Sequence, residues 1–432
     1  MDVLDCYRHV PAGPLESTVG WRKPLGFRPV AQQATKNPPK FTRGMMSNLT
    51  KSSKSESRKL THHSYPSWSP RFWHGMLISD WVRMLVQYRF RVHPLRMPMA
   101  FMISGCTLFN STLHLFQRWR YAKRLDQIQV DPPPVFIIGH WRSGTTMLHE
   151  LLVRDPHFAY PTTYECFAPS HFLVSEWIVP KVVGCLLPKK RPMDNMSAGF
   201  DYPQEDEFAL VNMGCPSPYL KIAFPNDPPR HMELLDMQGV DDHVLARWKH
   251  DMLAFAKALT LAHGKRLVLK SPPHTGRVEV LSRLFPGAKF IHISRHPEDL
   301  FASSRRLWKT LWKVQALQIP QCVGLDEYIF ECFERMYGGF LRQRVSIPAG
   351  HLYDVKYEDL VRDPMGQIAA MYRQLDLGDF EAMRPELESL LQQRKGYQPN
   401  RHEELEPEIR EQIRRRWAEY YEMYDYANGS LV

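Results

Sequence analysis

The stretch Val135–Leu152, VFIIGHWRSGTTMLHELL, constrains this chain more than any other. It sets a short apolar β-type run, a glycine-bounded loop and a helix-patterned segment in immediate succession, the entry to a βα unit. In such a loop the backbone N–H groups and the helix N-terminus face an anion together. From Gly139 through four residues to Gly144 the spacing is that of the common nucleotide-triphosphate loop. Thr145 and Thr146 then stand where that loop places Lys and Ser/Thr, and the cation is Arg142. The substitution points away from magnesium-nucleotide hydrolysis and toward a nucleotide bound without a metal.

From residue 131 onward, strand-like and helix-like segments alternate. Strands are predicted at Val135–Ile138, Arg266–Lys270, Lys289–Ser294 and His351–Val355. Helices are predicted over 145–154, 204–213, 241–263, 275–284, 297–311, 325–343, 364–375 and 404–423. The pattern predicts an α/β fold, a P-loop-type, mostly parallel sheet flanked by helices. Every strand then delivers its loop to the same sheet edge, where ligands of open α/β folds collect.

Charge divides the chain differently. Residues 1–125 carry 20 Lys/Arg against 5 Asp/Glu, whereas the remainder carries 36 against 41. The cationic excess therefore belongs to an N-terminal extension. Residues 1–65 read as a disordered basic tail, too polar to offset their ordering entropy. Residues 66–128 read as a basic, aromatic helical region broken near Pro94 and Pro98, and 129–425 as the loop-bearing domain. A block of this kind suits anionic lipid, nucleic acid or plain solvation, and no specific nucleic-acid partner is expected. Met97–Phe116 has no formal charge over 20 residues, enough to span a membrane. Its Pro, Asn, Ser, Thr and His content and flanking cations favour an interfacial or core-packed helix over a single span through 97–116. Seven cysteines without a CxxC pair, and the absence of a signal-type apolar run in Met1–Tyr65, fit a reducing, cytoplasmic setting, with peripheral membrane association through 66–128.

Four stretches share a bias toward phosphate or sulfate. In the first, Arg142, Ser143, Gly144, Thr145 and Thr146 surround the loop. In the second, LVLKSPPHT, Lys270 ends a buried-type strand and His274 follows four residues later. A lysine there can follow charge onto a leaving oxygen, and a histidine can accept a hydroxyl proton near neutral pH. In the third, ISRHPEDLFAS, Arg295 and Ser303 supply a guanidinium fork and a hydroxyl. In the fourth, Arg394, Lys395 and Gly396 form a cationic turn. No convincing magnesium or other metal constellation accompanies them.

In this order the stretches resemble the sulfotransferase superfamily over about residues 131–400. The nearest likeness is to its large, mostly bacterial branch, which shares GxxRSGTT, PQEDEFAL and LKSPPHT, here 139–146, 203–210 and 269–275. The resemblance implies sulfuryl transfer from 3′-phosphoadenylyl sulfate, without a metal, to a hydroxyl or amine of a small-molecule or lipid-like acceptor. It implies a 5′-phosphosulfate loop at Gly139–Thr146, with Arg142 where cytosolic relatives have Lys. It also implies 3′-phosphate ligands at Arg295, Ser303 and 394–396, and an adenine-side residue at Tyr357. Met147 replaces the aromatic that cytosolic relatives stack on adenine. Their catalytic histidine lies two residues after the strand-end lysine, whereas His274 lies four after Lys270. Glu205, in YPQEDEFAL, therefore competes with His274 as general base. The aromatic content of 155–235 suggests an apolar acceptor. The rival enzyme is a P-loop phosphotransferase acting on a small acceptor.

Overall fold

The computed structural model describes residues 69–184, 199–393 and 404–426. Five parallel strands form its sheet: β1 (Val135–Ile138), β2 (Phe158–Ala159), β3 (Arg266–Lys270), β4 (Lys289–Ser294) and β5 (Leu352–Lys356), ordered β2-β3-β1-β4-β5. Three predicted strands have the observed bounds and the fourth is displaced by one residue. The two-residue edge strand β2 was not predicted, since two residues carry no readable alternation.

β1 is central, pairing Ile137 with Lys270 on one side and with Ile291 on the other. The side-chain period of two divides its residues between two layers. Phe136 and Ile138 join Phe290, Trp248, Phe255 and Leu281 on one face. Val135 and Ile137 join Leu148, Leu151, Ile368 and Leu387 on the other. All four β1 residues are buried, which explains why the strand reads as a continuous apolar run.

Helices α1 (Ile78–Gln87) and α2 (Met97–Gln127) belong to the N-terminal extension. Trp73, Trp81, Met84 and Ile103 enter the same core cluster as Phe136, so this region packs on the sheet domain. A 3-10 turn, Pro94–Arg96, separates the two helices. Pro98 begins α2 instead of breaking it, because a first-turn residue has no N–H to lose from the helix ladder. The helix predicted over 404–423 is two helices, Pro407–Arg416 and Ala418–Met423, joined at Trp417. The 275–284 prediction becomes a 3-10 segment, Pro272–Arg277, followed by an α-helix, Val278–Leu284, because consecutive prolines forbid the regular ladder.

Candidate active site

The loop after β1 turns back on itself through three residues with positive φ: Gly139 at 144°, Arg142 at 71° and Gly144 at 111°. A Cβ on Gly139 would stand 2.5 Å from the Ile293 carbonyl oxygen and 2.7 Å from Ser143 Oγ. A Cβ on Gly144 would stand 2.5 Å from the Tyr357 ring. Both glycines are therefore required by contact as well as by conformation. Thr145 opens helix α3 (Thr145–Leu152) immediately after Gly144, directing the N-terminal end of the helix into the loop. Thr275 Oγ1 accepts the Gly139 N–H at 2.7 Å, fastening the loop to the turn after β3.

Arg142 and Arg295 join the first and third predicted stretches. Arg142 Nε donates to Ser303 Oγ at 2.9 Å, and Arg295 Nη1 donates to the Arg142 carbonyl at 3.0 Å. The Arg295 guanidinium lies 4.6 Å from the centre of the Tyr357 ring. Among the described residues, Ser143 Oγ and Arg295 Nε are buried without a hydrogen-bond partner. Orphaned buried polar groups are costly, and an oxyanion at each would relieve that cost. The cradle thus fits a ligand with phosphate-type oxygens at two ends.

Beside the loop lies an acid–base cluster. Lys270 Nζ donates to Glu205 Oε1 at 2.8 Å, and the Tyr219 hydroxyl donates to Glu205 Oε2 at 2.5 Å. Trp141 Nε1, from the loop itself, donates to the Tyr219 oxygen at 3.0 Å. Burial, reinforced by the Glu205 charge, holds the Tyr219 phenol well above its ordinary range, so it remains a donor. The Glu205 side chain keeps 16% of its surface exposed while Lys270 keeps 1%. Within this pair the carboxylate is the member an acceptor can touch.

His274 lies behind this cluster. It is fully buried, edge-on to Phe136 and Trp248, and its Nε2–H donates to Asp206 Oδ2 at 2.5 Å. Burial alone would raise the Asp206 carboxyl, but the His274 charge and hydrogen bonds from His274 and Ser271 outweigh it and the net shift is downward. Next to it Glu207 is held by both terminal nitrogens of Arg277, at 2.6 and 3.2 Å, and by Ser217 at 2.5 Å. Of the three consecutive acids 205–207, only Glu205 reaches the surface.

Arg142, Ser143, Gly144, Thr145, Thr146, Glu205, Lys270, Arg295, Ser303 and Tyr357 gather at one sheet edge; His274 does not share that edge's exposure. Arg394, Lys395 and Gly396 lie outside the described residues. Trp141, Tyr219 and Asp206 were missed. Trp141 occupies a position that the GxxRSGTT pattern leaves unspecified and Tyr219 lies 14 residues past Glu205, so no local spacing marked either one. Among the described residues no group of three or more His, Cys, Asp or Glu is placed to hold a metal.

Residues 133–381 match the sulfotransferase family. The chain is 40% identical over 359 residues, 83% of its length and 92% of the relative's, to omega-hydroxy-beta-dihydromenaquinone-9 sulfotransferase Stf3 of Mycobacterium bovis. The Stf3 protein of Mycobacterium tuberculosis matches to the same extent. Sulfotransferase STF9 from Mycobacterium avium superposes with a TM-score of 0.59 at 17% identity, covering 77% of this chain and 87% of its own. Sulfotransferase STF1 from Mycobacterium tuberculosis gives 0.58 at 19% identity, covering 79% and 92%. The last two likenesses concern the fold, whereas the family match and the 40% identity reach the loop and the cluster beside it. The chain belongs to the sulfotransferase family, in its bacterial branch.

Proposed function

We propose that this sulfotransferase takes its sulfuryl group from 3′-phosphoadenylyl sulfate and gives it to a hydroxyl on an apolar, lipid-like acceptor. The observation that carries the donor assignment is the Arg142–Ser303–Arg295 junction, with Ser143 Oγ and Arg295 Nε beside it unpartnered among the described residues. One polar surface thereby serves both ends of a doubly phosphorylated nucleotide. Residues 139–146 would hold the 5′ end, Arg295 and Ser303 the 3′-phosphate, and Tyr357 the adenine side. The bound donor supplies an electrophilic sulfur and a leaving phosphate.

Glu205 is the general base in this reading, since among Glu205, Asp206, Glu207, Lys270 and His274 it is the group open to an acceptor. Its proton uptake also has a consequence for Lys270. A neutral Glu205 holds the Lys270 ammonium less strongly, which frees that charge to stabilise the leaving oxygen as it develops. His274, locked on Asp206, positions the strand end that carries Lys270. The acceptor class is carried over from the relative, whose name specifies a hydroxylated menaquinone. The aromatic content of the 155–235 segment suits an apolar molecule. The enzyme meets that acceptor at a membrane surface.

Calorimetric titration with 3′-phosphoadenosine 5′-phosphate tests the donor, with ADP and Mg-ATP as controls and Arg295→Ala in parallel. Metal-independent binding that needs the 3′-phosphate and weakens at least about tenfold in Arg295→Ala is expected, a charged hydrogen bond being worth about 1.5–3 kcal/mol. A preference for Mg-ATP, or indifference to Arg295→Ala, would overturn it.

A further inference from the structure

Helix α2 turns polar anchors inward and an apolar stripe outward. Its inward side buries Met99, Ala100 and Ile103 near the start and is polar beyond them: Ser104 Oγ accepts from Trp81 Nε1 at 2.9 Å, and Asn110 Nδ2 donates to the His74 carbonyl at 2.7 Å. Further along, His114 Nδ1 meets the Ser170 carbonyl at 3.0 Å, and Gln117 Oε1 accepts from the Leu173 N–H at 2.9 Å. Its outward side is apolar. Phe101, Leu108, Phe109, Leu115, Phe116 and Trp119 recur at helical spacing and are between 51% and 78% exposed. A water-facing helix has the opposite arrangement, and a contiguous apolar patch of this extent marks an interaction surface.

Charge identifies the occupant. Residues 81–125 contain eight Lys/Arg and no Asp/Glu. Arg89 and Arg96 precede the stripe, with Arg91 beside them paired to Asp227, while Arg118, Arg120, Lys123 and Arg124 close its far end. A second copy would bring the same cations against themselves, whereas an anionic leaflet is complementary to them. The inward hydrogen bonds also determine the orientation. They tie α2 to the domain from Ser104 to Gln117, about 20 Å of helix at 1.5 Å per residue. In a spanning helix the backbone carbonyls of the attached segment would enter hydrocarbon unsatisfied.

We infer that α2 is a monotopic docking helix, lying flat on an anionic bilayer with the Phe101–Trp119 stripe immersed and the flanking cations at the headgroups. This goes beyond the sulfuryl-transfer reading and does not depend on it, although it places the enzyme where a lipid-like acceptor resides.

The test is co-sedimentation of the full chain with phosphatidylcholine vesicles, with and without phosphatidylglycerol, at low and physiological salt. Wild-type protein is expected to bind the anionic vesicles more tightly. Phe109→Glu/Phe116→Glu and, separately, Arg120→Glu/Lys123→Glu are each expected to weaken binding by about tenfold or more. Both pairs face solvent, so titration with 3′-phosphoadenosine 5′-phosphate should be unchanged in them. Conversely, Arg295→Ala should sediment with vesicles like wild type. A failure of the donor reading therefore appears in the titration and a failure of docking in the sedimentation. Absence of wild-type binding to anionic vesicles at low salt, or binding untouched by the phenylalanine pair, overturns the inference. So does a dimer by light scattering that Phe109→Glu/Phe116→Glu dissociates, which would assign the stripe to a second copy.

Discussion

At Glu205 one carboxylate serves Lys270 and Tyr219 at once, while its neighbour Asp206 is spent on His274. A one-residue step along the chain thus separates a group that can work on an acceptor from one committed to the core. Glu205→Gln keeps the shape and loses the proton acceptor, so kcat is expected to fall by about 10²–10⁴ with donor affinity nearly unchanged. His274→Ala should behave differently. It leaves Asp206 buried beside Ser271 alone and is expected to cost about 3 kcal/mol in urea unfolding. Rate loss in His274→Ala without loss of stability would transfer the base role to the histidine. The sequence placed both candidates but could not rank them, because burial is a property of the neighbours: Phe136 and Trp248 enclose His274 from 138 and 26 residues away in the chain.

Among the elements, the loop 139–144 and the C-terminal helix Ala418–Met423 meet at Arg295. The Tyr420 hydroxyl accepts from the Arg295 N–H at 2.9 Å and donates to the Arg295 carbonyl at 3.0 Å. Tyr426, just beyond this helix, donates to Glu358 Oε2 at 3.0 Å, and Glu358 Oε1 accepts the His296 N–H at 3.0 Å. The turn after β4 is thereby held from both sides. Tyr420→Phe is expected to weaken 3′-phosphoadenosine 5′-phosphate several-fold while leaving ADP, which lacks the 3′-phosphate, unaffected. Equal loss for both ligands would make Tyr420 a general structural residue. Gly139→Ala should abolish donor binding outright, since the Ile293 carbonyl is backbone and cannot yield to a Cβ at 2.5 Å. The loop was legible because glycine spacing and an apolar run are local. The clasp was not, because Tyr420 acts on Arg295 across 125 residues and no periodicity records such a pairing.

Over the whole molecule, acid sensitivity follows from buried neutral histidines. Burial pushes His140 down to about 3, and His74 and His171 down to about 4, from an ordinary value of 6.5. With the folded values depressed, the unfolded chain takes up protons first as the pH falls. Their stabilisation is complete above 6.5 and is lost from 6.5 downward toward 4, at up to about 1.4 kcal/mol per pH unit for each histidine. Between pH 7.5 and 5.5 these three residues together contribute a loss of roughly 4 kcal/mol to the stability read by urea unfolding, offset in part by Glu176, which burial pushes up to about 7, and by His263, raised by its hydrogen bond to Glu165. His171→Gln should remove about a third of that loss. A pH dependence unchanged in His171→Gln would show that His171 is not buried neutral.

What the amino-acid sequence determined by itself was local or strand-end chemistry: the βα unit at 135–152, the strands at 266–270 and 289–294, and the loop residues that each strand end presents. These are visible because backbone geometry repeats over two or 3.6 residues and because glycine, proline and threonine have conformational roles of their own. Tertiary structure alone decided which polar groups were spent and which were left over. It joined Trp141 to Tyr219 and Tyr219 to Glu205, consumed His274 on Asp206, and turned Ser104, Asn110 and Gln117 of α2 toward the domain. The same uncharged run, Met97–Phe116, fits a span, a core helix or an interfacial helix by hydropathy. Only the backbone carbonyls and side chains waiting on the domain surface select the face that is buried, because an unpaired polar group away from water costs more than an exposed phenylalanine.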